Sequence, residues 1–366
     1  MTYQPLSVSK TPRKRLVTLD LMRGYYVGML AAIHLDYVPS LLGLFDGRGA
    51  LLVSEAEGFF MISGLLVGML RRRDLERHGL WRMTLSSWKR GLQLYVVAIP
   101  LTLLFTVIGR LAVEHGHPEV KDGLDISHSP LTVVYRALTF QYTYGWADFL
   151  TSYVPLFLIA PAFVWLLSKR LWPLVLAIAY AGYWMPSHYD TRFYGKFLQW
   201  GVYFLIGAAA GYHREDLRRF MARLAPAWNK GIRIGLIAAA AIIYVVGIVV
   251  LYRPNLVANL DIWWDFFQNS RLGILRPLVA PISVAGTYFL LRRFEEPIAR
   301  TVGKVLIPFG RNSLYVYVAQ SFVVFLTPFV LKPQDFLINT VFDLSVIAVM
   351  WFAVRKQFLA FLMPKA

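Results

Sequence analysis

Long apolar stretches recur along the whole of this chain, and they leave few folds open to it. Residues Gly235 to Leu251 run for 17 positions without a charge. A helix that crosses a hydrocarbon core of ~30 Å needs about 20 mostly apolar residues. Stretches of that kind fall at 17–36, 51–70, 91–111, 148–167, 171–187, 197–212, 234–252, 273–291, 312–331 and 338–354. Composition agrees: 57% of the 366 residues are hydrophobic and 16% charged, against about 25% charged in an ordinary soluble domain. The pattern predicts an all-α protein, a polytopic transmembrane helical bundle of about ten spans. It forms a single integral-membrane domain over 1–366. Residues 1–16 make a basic N-terminal segment and 113–147 an outer loop with an interfacial segment. Within the latter, Arg136, Gln141, Tyr142, Tyr144 and Trp146 make 131–147 too polar to face lipid, and Tyr and Trp favour the headgroup level.

The net charge is +17, which in a soluble protein would suggest nucleic acid. Here the cations sit in short clusters between apolar runs, as membrane topology requires, so no nucleic-acid partner is expected. With the N-terminus inside, 26 of the 38 Lys and Arg residues fall in inner segments and 10 in outer segments or span ends, while Arg23 and Arg311 lie within spans. That bias places both termini in the cytoplasm. Lys10, Arg13, Lys14 and Arg15 before an apolar run imitate a signal peptide, but the run carries Asp20, Arg23 and His34, and is read as a retained first span. There is no cysteine, so disulfides, thiolate metal sites and a cysteine-linked acyl intermediate are excluded. His115, His117 and His128 share one loop without a placed further ligand, and no metal is expected.

Ionisable residues inside spans are costly and need a reason, each on the order of 2.5–3.5 kcal/mol. In the first span Arg23 and His34 are 11 residues apart, which puts them on one helix face about 16.5 Å apart along the axis. Asp20 and Arg23, three apart, are spaced to pair, either as an interfacial ion pair or as part of a site. In the second span Glu57, Met61, Gly64 and Gly68 share a face. The glycines have the small-xxx-small spacing of closely packed helices, with the first span as the expected neighbour. Glu57 would then stand beside His34, and a carboxylate is the usual means of orienting an imidazole that acts as a base.

Three blocks of sequence carry a resemblance. Leu19-Asp-Leu-Met-Arg-Gly24 with its spacing to His34, Glu57-Gly-Phe-Phe-Met-Ile-Ser-Gly64, and Phe309-Gly-Arg-Asn-Ser-Leu-Tyr-Val-Tyr317 resemble the integral-membrane acyltransferase-3 superfamily. Within it the chain is similar to the OpgC-like branch, which includes succinyltransferases of osmoregulated periplasmic glucans. Arg90-Gly-Leu-Gln-Leu-Tyr95 and Ser270-Arg-Leu-Gly-Ile-Leu-Arg-Pro277 add to the match. The resemblance implies transfer of a succinyl or acetyl group from cytoplasmic acyl-CoA, as cosubstrate, to a hydroxyl of an extracytoplasmic glycan or glycolipid. The setting implied is the inner membrane of a bacterium, with membrane lipids around the bundle. It also implies His34 as general base on the acceptor hydroxyl and Arg23 as a donor-site residue.

Charge supports a donor site independently, because coenzyme A is polyanionic and cations bind phosphate. Arg71, Arg72, Arg73, Lys89 and Arg90 form the inner cluster, with Tyr95 one to two turns beyond Arg90. On the outer side Arg271 and Arg276 are placed to bind an anionic acyl group or glycan, and Trp184 and His188 to stack on a sugar. Snorkelling and interfacial anchoring explain the same residues without a ligand. Ser63 is the one candidate for a covalent serine route. The rival reading is a transporter or flippase for a lipid-linked glycan, which intramembrane charges and Gly/Pro-rich helices also suit.

The charge bias yields a direct test. A reporter fused after Ala366 or inserted beside Arg73 is expected to read cytoplasmic, and one beside Gly123 external. An external reading at Arg73 overturns the layout.

Overall fold

A computed structural model describes residues 16–47, 51–117, 129–188, 195–256, 273 and 275–358. Among the described residues all regular structure is helical. The helices are α1 (Val17–Leu35), α2 (Leu41–Asp46), α3 (Glu55–Glu114), α4 (Pro130–Leu138), α5 (Asp148–Ser168), α6 (Trp172–His188) and α7 (Gly195–Tyr212). They continue as α8 (Arg214–Arg223), α9 (Pro226–Tyr252), α10 (Arg276–Arg293), α11 (Glu295–Arg300), α12 (Gly303–Arg311), α13 (Ser313–Leu326) and α14 (Phe336–Lys356). Four of these, α3, α5, α9 and α14, are long and apolar enough to cross a membrane.

Helix α3 is 60 residues of helix broken at Gly79, where φ is 76° and ψ 175°. Glycine takes that backbone conformation without the clash a Cβ would bring. Arg71 donates to Ser86, 15 positions on. Along a straight helix those residues would stand about 22 Å apart. The chain therefore folds back at Gly79, and the arms 55–78 and 80–114 form a hairpin that corresponds to the second and third apolar stretches.

The Gly64–Gly68 face packs on α7 rather than on the first span, which corrects the sequence expectation. The reason is reciprocal spacing, since α7 carries its own glycines at 207 and 211. A Cβ at Gly64 would lie 1.9 Å from the Phe204 carbonyl oxygen, and one at Gly207 2.0 Å from that of Met61. The motifs interlock backbone to backbone, as small-residue pairs do in membranes. A second such contact joins α1 to α12: a Cβ at Gly24 would be 1.9 Å from Leu306 O, and one at Gly310 1.9 Å from Asp20 O.

Within the expected interfacial segment lies α4, a short capped amphipathic helix. Ser129 Oγ accepts from Thr132 N at 3.3 Å, Pro130 opens the helix, and Tyr95 donates to Leu138 O at 3.0 Å. Part of the expected outer loop, 118–128 with His128, lies outside the described residues.

Close approach at Gly64 sets a measurable cost. Gly64→Ala is expected to destabilise the detergent-solubilised protein by about 1–3 kcal/mol through overpacking. Gly235→Ala, where no atom lies within 4 Å, should be neutral or slightly stabilising because alanine is the better helix former. Equal thermal midpoints for both variants would mean that α3 and α7 do not touch there.

Candidate functional site

Helices α1, α5, α13 and both arms of α3 enclose a cavity of about 340 Å³. Three guanidiniums line it, Arg23 from α1 and Arg71 and Arg90 from the two arms of α3, together with Ser63 and Ser313. Arg71 and Arg90 lie about two and three turns from the Gly79 bend, which is how residues 19 apart meet. The remaining wall is apolar, part aliphatic and part aromatic, with Phe59, Phe149, Tyr153, Phe157 and Tyr317 as its rings. Beyond that wall stands His34, half-buried, its ring edge-on to Phe149 at 6.4 Å between centroids.

The charge in this cavity is poorly compensated. Arg23 donates to Ser313, and Arg90 to Gln93 Oε1 at 3.1 Å. Among the described residues Arg71 alone of the three holds a carboxylate, Asp74 at 2.6 Å. The Nε atoms of Arg23 and Arg71 are buried without a hydrogen-bond partner among the described residues. Donors withdrawn from water cost free energy until something accepts from them. The arrangement suits a ligand with negative charge and an apolar part.

Six of the eight residues in the block Glu57–Gly64 have a clear place. Gly58 lies under the Tyr26 ring, where a Cβ would approach Cε1 to 2.4 Å. Phe59 and Ser63 face the cavity. Phe60 stacks between Tyr153 and Trp200, with centroids at 4.3 and 5.3 Å. Gly64 admits α7. Glu57 does not turn to His34 as the sequence suggested. Its Oε1 accepts from Arg276 Nε at 2.7 Å and from Tyr203 OH at 2.8 Å, and its Oε2 from Ser54 N at 2.7 Å. Glu57 and Arg276 are each 2% exposed. Arg276 also donates to Leu51 O at 3.2 Å, so it ties α10 to the start of α3 rather than presenting a cation to a glycan. The sequence could not show this, because the two residues are 219 positions apart.

The residue beside His34 is Gln320 of α13, its Nε2 3.5 Å from His34 Nδ1. It is 1% exposed, and its Oε1 is buried with no hydrogen-bond partner among the described residues. Sequence reading passed over Gln320, though a glutamine in an apolar helix two turns past Ser313 was the available signal. The two contacts Arg23–Ser313 and His34–Gln320 advance together along both chains, so α1 and α13 run in the same direction.

Other expected site residues are placed elsewhere. Asp20 receives Arg311 Nε at 3.3 Å, while Arg23 is held by Ser313. Arg72 donates to Glu76 and to Tyr212 O, both at 2.7 Å, and so faces α7. Arg73 and the exposed Lys89 do not line the cavity. Tyr95 bonds Leu138 O and props α4; its neighbour Leu94 lines the cavity instead. Trp184 is 45% exposed on α6, away from these groups. Arg271 and the side chain of His188 lie outside what is described.

Fold and cavity together define a helical protein with helices apolar enough for a membrane and an internal cavity lined by three guanidiniums. The chain belongs to the OpgC protein family, whose model matches residues 15–359. Membership points to glucan modification by acyl transfer. No curated protein and no solved structure gives a match.

The buried ion pair can be tested apart from any activity. Arg276→Met alone leaves Glu57 charged and uncompensated, and is expected to cost about 3–5 kcal/mol. The double variant Glu57→Gln, Arg276→Met should recover most of that loss in an unfolding assay. No recovery would mean that the two groups are not coupled.

Proposed function

We propose that this protein is a membrane O-acyltransferase that carries a succinyl or acetyl group from cytoplasmic acyl-CoA to a hydroxyl of an extracytoplasmic glucan. The proposal places about ten spans in a bacterial inner membrane with both termini inside. The observation that carries it is the cavity that gathers Arg23, Arg71 and Arg90 and ends on the aromatic wall beside His34. Arg71 and Arg90 lie toward the Gly79 bend, on the side that the charge bias assigns to the cytoplasm. Phosphates of the donor meet these guanidiniums, and the pantetheine arm runs along Phe59, Tyr153 and Phe157. A volume of about 340 Å³ suits that arm and an acyl group, with the nucleotide left outside.

In the reaction His34 removes the proton from the acceptor hydroxyl as its oxygen attacks the thioester carbonyl. The carbon–sulfur bond breaks, the ester forms, and the coenzyme thiolate leaves and takes up a proton. Gln320 has the part that the sequence assigned to Glu57. An amide turned end for end has the same outline, and turned so it sets Oε1 against His34 Nδ1. That satisfies the buried oxygen, keeps the proton on Nδ1 and directs the Nε2 lone pair to the substrate.

His34→Ala is expected to lower transfer by about 10²–10⁴-fold, the usual cost of a lost general base, while acyl-CoA binding persists. Arg90→Ala should weaken acyl-CoA binding by about 1.5–3 kcal/mol, the range for a charge-assisted hydrogen bond. Gln320→Leu should lower the transfer rate and move the acid limb of the pH profile, and Gln320→Glu should retain more activity because it keeps an acceptor. The assay is acylation of glucan in proteoliposomes with labelled acyl-CoA, beside equilibrium binding of acyl-CoA. A glycan flippase has no use for acyl-CoA, so a well-folded wild-type protein that fails to bind it would sink the proposal.

A further inference from the structure

A second cavity, of about 640 Å³, opens where the α5–α6 turn, α7 and α8 meet. It shares no lining residue with the cationic cavity inside the bundle. Its rim carries Arg170, Arg219 and Arg223, and its floor is apolar, made by Leu176, Ile206 and Ala210 among others. The one carboxylate that lines it, Asp216, is already engaged, by His213 Nδ1 at 3.3 Å and Arg72 at 3.9 Å. The hydrogen bond from His213 holds that carboxyl below its ordinary range, so Asp216 stays an anion paired with its own neighbours.

The surroundings are those of a membrane surface. Helix α8 has Leu217, Phe220 and Met221 at helical spacing among four arginines, with Leu217 51% and Phe220 58% exposed. That is the pattern of a helix lying in the headgroup plane. Trp172, at the mouth of the cavity, is 49% exposed, and indoles favour the same depth. Leu174 and Ile178 on α6, beside it, are also exposed, as residues against acyl chains would be.

We propose that this cavity binds an anionic phospholipid of the inner leaflet. Arg170, Arg219 and Arg223 hold the phosphate, and an acyl chain lies over Leu176, Ile206 and Ala210. Guanidinium forks match phosphate oxygens in pairs, and the apolar floor has no use for a free phosphate. The proposal rests on α8 lying at the cytoplasmic face, and is independent of acyl transfer.

Native mass spectrometry of the full-length protein, exchanged from detergent into phosphatidylglycerol, phosphatidylcholine or inorganic phosphate, tests it. Phosphatidylglycerol is expected to stay bound where phosphatidylcholine is stripped, and phosphate alone should not raise the thermal midpoint. Replacing Arg170, Arg219 and Arg223 together by Gln should weaken phosphatidylglycerol retention on the order of 100-fold, given what each cation contributes near a membrane surface. Arg214→Gln with Arg218→Gln, which do not line the cavity, should leave it unchanged. Ala210→Phe fills the floor with the rim charges intact, and should also release the lipid. Retention equal for both lipids, retention surviving the triple substitution, or stabilisation by phosphate alone would each overturn the proposal. Because the readout is bound lipid, failure here is distinct from failure of acyl-CoA binding.

Discussion

A charge inside an apolar bundle must find an opposite charge or a ring of donors, and much of this architecture follows from where each one does. Glu57 shows the demand at its fullest. Its two oxygens accept from Arg276, Tyr203 and Ser54 N, so one carboxylate at the head of α3 joins the α3 arm 55–78 to α7 and α10. Such a pair adds little net stability over an apolar replacement. What it supplies is register, since neither helix can slide without exposing an unpaired charge to a dry interior. Asp20 and Arg311 also pair, between α1 and the end of α12, but with Arg311 exposed that pair constrains register less.

Once those pairs are made, the three guanidiniums of the cavity hold a single carboxylate among the described residues. Glycines set how closely the surrounding helices pack. Gly24 and Gly310 bring α1 onto α12 with backbones in contact, and Gly64 with Gly207 does the same for α3 and α7. Helices α1, α5, α13 and the α3 hairpin line a common space. Arg23 reaches it from α1, and the reversal at Gly79 delivers Arg71 and Arg90 from opposite arms. A site built on rigid, interlocked helices keeps its donors in place before any ligand arrives, which is the condition for strong binding of developing or fixed charge.

The helical stretches were legible because their signal is local: length and hydropathy. A reversal between the second and third stretches was legible from the cations between them, but Gly79 as its point was not. Arg23, Arg71 and Arg90 could be picked out by charge and position, whereas Arg72, one residue away, could not be excluded. Only the helical phase separates them, and that phase depends on α7 lying against Arg72 through Tyr212. Glu57 was misassigned for a related reason. Sequence shows which face a residue occupies and not which helix meets that face; the match between Gly64–Gly68 and Gly207–Gly211 becomes a contact only when both helices are seen. Gln320 was missed because an uncharged amide gives no electrostatic signal, although burying it costs free energy unless it is hydrogen-bonded.

Separation along α1 explains why the proposed reaction needs two different residues on one face. Arg23 and His34 are about 16.5 Å apart on the helix axis, roughly the reach of an extended pantetheine arm. A polyanionic nucleotide cannot cross the aromatic wall of Phe149 and Tyr317 without losing its hydration, but a neutral thioester can approach it. In that arrangement the cations retain the charged part of the donor at one depth, and the imidazole acts on a hydroxyl at another. The acyl group alone passes between them. In the proposed chemistry the rings of that wall would act as a selectivity element, and their apolar character would be as necessary as the charge of the three arginines.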